Sequence, residues 1–386
     1  SANLRSSEAP GFSLIEAVLP GPLVEVEPFR SPSGDRSLIL LVEAGEDSGA
    51  PRFVYELRFE DSARLSDLPV VLPPEADSIA SVDLSGDGAR ELLVGEPCRI
   101  FRLTGEGKLE LAVEGQDVNL KARARLGPGG ATPDDDDLIL GSVGRVERFS
   151  SEAGEGHLRR VEAFRIPVQA RLQGDWLRLS SSLVSAVPRR DASRRYTYLV
   201  GPEAVGDRRL RTLVLEIDGD LDGSVGERWS QLPSPEAVEE SLYASLDGEI
   251  VLLVTTVQAD KRGIFEKEKL RVLGLLEDRS RAGATPILEL VSRTRKWYRA
   301  GMGVHDVNVD GSDDVVLVQP KGLGGGKLVV EAFMGVGSGE FAKQARRTNL
   351  EVETELWSYG EDLNLDGYPD LVLVENGILL VFLGVG

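Results

Sequence analysis

The chain of 386 residues is 41% hydrophobic and 28% charged, enough for a large packed core and incompatible with a disordered or collagen-like chain. Its 44 Lys and Arg against 64 Asp and Glu leave a net charge of −20, a field that repels nucleic-acid phosphate and anionic lipid. The longest apolar run, Ile378 to Leu383, is six residues, against the roughly 20 of a membrane-spanning helix, and one cysteine with two histidines excludes an internal disulfide and a zinc or iron–sulfur cluster of the usual kind.

The stretch Ser1 to Pro10 is polar and lacks the apolar centre of a signal peptide, so the chain reads as a processed or recombinant product. A short apolar run then recurs seven times, starting at Leu38, Leu92, Leu138, Thr197, Ile250, Val315 and Leu371, with spacings of 46 to 65 residues. Each run is too short for a helix, is rich in Val, Ile and Leu, and is apolar at consecutive positions. That is the pattern of a strand buried on both faces. The period, about 55 residues, is near that of repeat architectures.

Further strands lie between the runs. Around the sixth, Tyr298 to His305, Asp314 to Val318, Lys327 to Met334 and Glu340 to Arg347 read as four strands separated by Asp-, Asn- and Gly-rich turns. Helical patterning is nearly absent; Ser234 to Ser241 reads as a single short helical turn. The last repeat holds three strands, Glu355 to Glu361, Leu371 to Val374 and Gly377 to Leu383, and the N-terminal Phe12 to Leu19 continues its pattern as the missing outer strand. Four antiparallel strands per repeat, seven repeats and a shared last sheet predict an all-β, seven-bladed β-propeller forming one domain over 1–386. Residues 1–19 close blade 7, and the blades fall at about 20–75, 76–115, 116–167, 168–235, 236–294, 295–350 and 351–386.

The chemistry sits just before the apolar runs. Asp306, Asn308, Asp310, Gly311 and Asp314 share their spacing with Asp362, Asn364, Asp366, Gly367 and Asp370, and Asp83, Ser85, Asp87, Gly88 and Glu91 form a looser copy. Oxygen-bearing side chains at alternate positions of a tight loop, with glycine sixth to permit the bend, converge on one hard cation. The seventh residue (Ser312, Tyr368 or Ala89) adds a backbone carbonyl and the ninth closes the shell. The expected ion is Ca2+, at two sites with the Asp83 loop as a third; Mg2+ seldom uses an all-protein cage. An EF-hand is excluded, because its twelfth position would need a carboxylate where Val94, Leu317 and Leu373 stand. Without an ion, the same residues make Asx-rich hairpin turns.

The remaining repeats have lost the pattern: Tyr243 stands at the first ligand position of the Ser245 to Gly248 turn, Ser31 to Asp35 has too few acids, and Asp134 to Asp137 lacks the glycine. Asp218, Asp220, Asp222 and Gly223 repeat the spacing but follow a strand and end on Gly226, as a hairpin tip would.

These loops, with Gly335-Val336-Gly337-Ser338-Gly339-Glu340-Phe341 after the third strand of the sixth repeat, resemble the FG-GAP/VCBS repeats of integrin-α-type β-propellers. The resemblance implies a seven-bladed ring, Ca2+ in the interstrand loops, and a protein outside the cytoplasm (extracellular, cell-surface or periplasmic) that binds proteins or polysaccharide. The Phe-Gly and Gly-Ala-Pro segments survive only as remnants such as Gly95-Glu96-Pro97 and Gly201-Pro202, so adhesion of the integrin type does not carry over.

No G-x-S-x-G, H-E-x-x-H or catalytic-cysteine setting occurs, and the Gly322 to Gly326 run opens no helix that would cradle phosphate. His305 reads as a strand-end residue beside the ion loop and His157 as a hairpin tip. Trp176, Trp297 and Trp357 read as inter-blade packing or a stacking face, and Arg189 to Arg195 with Gly206 to Arg209 as solvated basic loops or a dock for an acidic partner. The expectation is a non-catalytic, calcium-stabilised scaffold with a protein or polysaccharide partner on one face or the rim, and with neither nucleic acid nor a membrane span. The alternatives are a propeller-based polysaccharide lyase or hydrolase, and an accessory subunit of a larger envelope or filament assembly.

Overall fold

The computed structural model of the chain describes residues 12–30, 35–45, 49–59, 63–83, 90–104, 108–115, 118–122, 125–126, 137–142, 145–151, 158–165, 182–186, 196–204, 210–218, 225–229, 237–246, 249–260, 267–276, 285–292, 301–308, 310–321, 327–336, 340–352, 355–359, 363 and 370–384. The fold is all-β. The described residues form seven sheets, and their helical content is one 3-10 turn, Leu120–Ala122.

Strand β1 (Phe12–Val18) leads the chain and belongs to the last sheet. Sheet 1 is β2 (Leu23–Arg30), β3 (Arg36–Glu43), β4 (Arg52–Phe59) and β5 (Ala63–Leu72). Sheet 2 is β6 (Ser78–Val82), β7 (Glu91–Glu96), β8 (Arg99–Leu103) and β9 (Leu109–Glu114). After the short β10 (Arg125–Leu126), sheet 3 holds β11 (Asp137–Ser142), β12 (Arg145–Ser151) and β13 (Leu158–Arg165). Sheet 4 comprises β14 (Ser182–Ala186), β15 (Tyr196–Ala204), β16 (Leu210–Asp218) and β17 (Val225–Trp229), with β10 added at its edge. Sheet 5 is β18 (Ala237–Leu246), β19 (Glu249–Asp260), β20 (Lys267–Leu276) and β21 (Thr285–Ser292). Sheet 6 is β22 (Gly301–His305), β23 (Asp314–Lys321), β24 (Lys327–Phe333) and β25 (Arg346–Leu350). Sheet 7 joins β26 (Glu355–Tyr359), β27 (Leu371–Glu375) and β28 (Ile378–Gly384) to β1.

All seven apolar runs lie in strands, and where burial is described the reason for their continuous hydrophobicity is visible. Along β3, Leu38, Leu40 and Val42 turn toward sheet 7 and pack with Val372, Leu379 and Val381. Ile39 and Leu41 turn the other way, against Ile79, Leu92 and Val94 of sheet 2. Leu93 faces Leu138 and Leu140 of sheet 3, while Val316 and Val318 face Leu371 and Leu373. Sheets 6, 7, 1, 2 and 3 therefore stack face to face in that order, and sheets 7, 1 and 2 each contribute alternate residues to two cores. A fully buried leucine such as Leu40 contributes about 1.5–3 kcal/mol. The first strands of successive sheets are also neighbours: β14 lies beside β18, β18 beside β22, β22 beside β26, β26 beside β2 and β2 beside β6.

Strand β1 pairs antiparallel with β28 over its whole length, from Phe12 opposite Gly384 to Val18 opposite Ile378. Leu19 follows into the sheet 7–sheet 1 core, its N–H donating to the Gly377 carbonyl at 3.0 Å. The N-terminal segment thus completes the last sheet, as its sequence pattern predicts.

Two expectations need correction. Among the described residues a count of four strands in every repeat fails in the middle of the chain: sheet 3 has three described strands and sheet 4 five, β10 pairing parallel with β14 and not with β11. Ahead of it, Leu120 is buried against Leu93 and Ile100, which holds its segment as a 3-10 turn against sheet 2. The helical turn read at Ser234 to Ser241 is also overturned, since Ala237 onward is β18. Pairing with β19, from Ala237 opposite Val257 to Leu246 opposite Glu249, overrides the local pattern; Ser234 to Glu236 lie outside the described residues.

Candidate functional site

The loop from β22 to β23 is built from its side chains inward. Asp306 accepts the Asp310 N–H on Oδ1 at 2.9 Å and the Gly311 N–H on Oδ2 at 2.7 Å. Gly311 sits at φ 90°, a backbone region that a side chain resists, which explains glycine at the sixth place of the motif. Asn308 accepts the Asp310 N–H on Oδ1 at 3.1 Å and gives its amide N–H to Asp310 Oδ2 at 2.8 Å, with Met334 Sδ 3.7 Å from the same nitrogen. Asp310 Oδ1 accepts the Ser312 N–H at 2.9 Å. These donors, the Ser312 backbone first and the Asn308 amide next, hold the exposed Asp310 carboxyl below the usual aspartate range.

Asp314 is different in kind, being fully buried at the start of β23. Its Oδ2 accepts the Val307 N–H at 2.9 Å and its Oδ1 the Gly335 N–H at 2.7 Å, so one carboxylate ties the loop to the end of the third strand. Burial pushes this carboxyl up; the Gly335 and Val307 N–H groups pull it down, and the charges of Asp310 and Asp306 add to the upward push. Gly335 is required by close approach, because a Cβ there would stand 2.7 Å from the Asp313 carbonyl oxygen.

The seventh repeat reproduces this anchor. Asp370, also buried, accepts the Leu363 N–H on Oδ2 at 2.6 Å and the Gly384 N–H on Oδ1 at 2.8 Å. Val307 and Leu363 hold the second place of their motifs, and Gly335 and Gly384 the corresponding place at the end of the third strand. The other seventh-loop candidates, Asp362, Asn364, Asp366 and Tyr368, lie outside the described residues.

The second repeat solves the same problem differently. Glu91, at the ninth place, accepts a hydrogen bond from Arg102 Nη2 at 2.8 Å, in a pair only partly open to solvent. Asp83 is described at the end of β6, while Ser85, Asp87 and Ala89 lie outside the described residues. So do His157, Trp176, Trp297, Arg189 to Arg195, Gly206 to Arg209, Asp220, Asp222 and Gly322 to Gly326; His305 and Trp357 are described only as strand positions.

Sequence reasoning therefore locates the ninth-place acids and misses their partners. Gly335 and Arg102 lie across a hairpin from the residues they serve. The donors gathered at the sixth loop mix carboxylate and amide oxygens; among the described residues, no three His, Cys, Asp or Glu side chains stand together as a metal-holding group.

No protein-family model matches the chain, and no curated protein does. Among solved structures 237 chains match. One is the crystal structure of the S. cerevisiae core factor, with a TM-score of 0.54 and 10% sequence identity. The match covers 98% of this chain but only 61% of that one, and at such identity it shows likeness of fold alone.

Proposed function

We propose that the chain is a seven-bladed β-propeller of the FG-GAP/VCBS kind, a non-catalytic scaffold stabilised by Ca2+ in its sixth and seventh loops. It presents one face or its rim to a protein or glycan outside the cytoplasm. The ring is supported by the face-to-face stacking of sheets 6, 7, 1, 2 and 3, by the adjacency of successive first strands, and by β1 completing the sheet of β28.

The observation that carries the calcium reading is the paired placement of Asp314 and Asp370, two buried carboxylates bonded alike to loop and strand end in repeats that share one acidic spacing. In the sixth loop, Asp306, Asn308, Asp310 and Asp314, with the Ser312 carbonyl, would hold the ion. The donor set is all oxygen, as Ca2+ prefers, and the charges of Asp310 and Asp306 acting on the buried Asp314 favour a compensating cation. Once bound, the ion supplies charge compensation and rigidity, coupling loop order to sheet stability. The test is calorimetric titration of chelator-treated protein with CaCl2, alongside thermal melts. Saturable binding and a raised melting temperature are expected, both reduced in Asp310→Ala; an unchanged melt with no binding heat removes the reading. Capture of a partner from the native source, with glycan-array binding beside it, decides between the two partner classes.

A further inference from the structure

The register of the three acidic repeats differs at one position. Leu93, two residues after Glu91, stands opposite Arg102 on β8. Val316, two residues after Asp314, stands opposite Ala332, and Val372, two residues after Asp370, opposite Val381. A residue opposite the second neighbour is the diagonal cross-strand partner of the ninth-place acid, within reach of a long side chain. Sheets 6 and 7 put a methyl or isopropyl group there. Sheet 2 puts a guanidinium, and it is bonded to the acid at 2.8 Å.

The same position carries charge in two further sheets. In sheet 3 it is Arg148, opposite Ile139 and two residues beyond Asp137. In sheet 1 the polarity is reversed: Ser37 replaces the acid and donates to Glu56, the residue opposite Ile39, at 2.9 Å. In sheets 1 and 2 the two positions are hydrogen-bonded to each other, and their composition varies from sheet to sheet.

The geometry points to Arg102 as a built-in counter-ion that takes the place of the metal in the second repeat. The third-strand residue diagonal to the ninth-place acid decides whether a loop takes up a divalent cation: Ala332 and Val381 leave the acid to the ion, and Arg102 neutralises Glu91 from within. This deepens the calcium reading and rests on it. The chain then carries two Ca2+ sites, with the Asp83 loop independent of calcium. A guanidinium satisfies one carboxylate through fixed, directional N–H donors and needs no dehydration of an ion, so sheet 2 keeps its geometry when calcium is withdrawn.

The count of bound ions tests this in the full chain, by calorimetry with CaCl2 alone after chelator treatment. Wild type is expected to bind two ions, Arg102→Lys two, and Arg102→Gln three, because loss of the guanidinium returns Glu91 to the loop. Three ions in wild type, or two in a folded Arg102→Gln, overturns the assignment. Should Arg102→Gln fail to fold, the wild-type count alone decides. Binding of no ion by wild type instead removes the calcium reading itself, and this assignment falls with it.

Discussion

The sixth and second loops begin from nearly the same sequence pattern and end with opposite electrostatics. Asp314 is enclosed, holds two backbone N–H groups and feels the charges of Asp310 and Asp306 in its own loop. Glu91 remains partly accessible and meets a guanidinium from the neighbouring strand. A ninth-place acid therefore does not by itself fix the electrostatics of its loop: what faces it across the hairpin matters as much. An acid drawn out of water must be compensated, and the two loops differ in the means: backbone N–H groups at Asp314, a guanidinium of the neighbouring strand at Glu91.

The largest break in this comparison is expected from Asp314→Ala, which strips two charge-assisted bonds and orphans two backbone donors. A loss of about 3–5 kcal/mol is expected in denaturant unfolding. Gly335→Ala should cost roughly 1–3 kcal/mol, because the added Cβ presses on the Asp313 carbonyl and pulls the strand end away from Asp314. Gly311→Ala, forced into the left-handed region, should lose about 1–2 kcal/mol and weaken calcium uptake. Arg102→Ala should cost about 1 kcal/mol or less, and less again in high salt, since its pair with Glu91 is partly exposed.

The smallest effect concerns pH. A raised folded-state pKa at Asp314 means the folded state binds that proton more tightly than the unfolded chain does. The ionised carboxylate therefore costs stability at neutral pH, and the cost shrinks as pH falls through the raised value. In chelator, the stability of wild type relative to Asp314→Asn should rise on acidification across that window; a flat difference shows that the burial of Asp314 is otherwise compensated.

Much of this was legible in the sequence, for identifiable reasons. The run Leu38 to Val42 announces a strand because alternate residues enter two different cores, and that demands apolar side chains at every position. The pairing of β1 with the last sheet was readable because an outer strand was missing at one end and present at the other. The role of Asp314 was half legible: its spacing marks the loop, but the Gly335 donor lies 21 residues on, where no local pattern reaches. Arg102 was within reach of sequence reasoning. The two-residue turn Pro97-Cys98 pairs Glu96 with Arg99, and counting back along that register sets Arg102 diagonal to Glu91. The three described strands of sheet 3 were not legible, because β10 takes a parallel partner in β14, far along the chain, which no local pattern announces.

The antiparallel union of β1 and β28 has a mechanical consequence. Phe12 and Gly384 occupy the same end of the ladder, so tension applied through the chain on either side of them loads one register pair at a time. Such a seam peels like a zipper and resists far less than strands sheared lengthwise, where all seven pairs would share the load. A molecule tethered at both flanks would yield there first, leaving the edge of β28 open while the stacked cores of the other sheets stay folded.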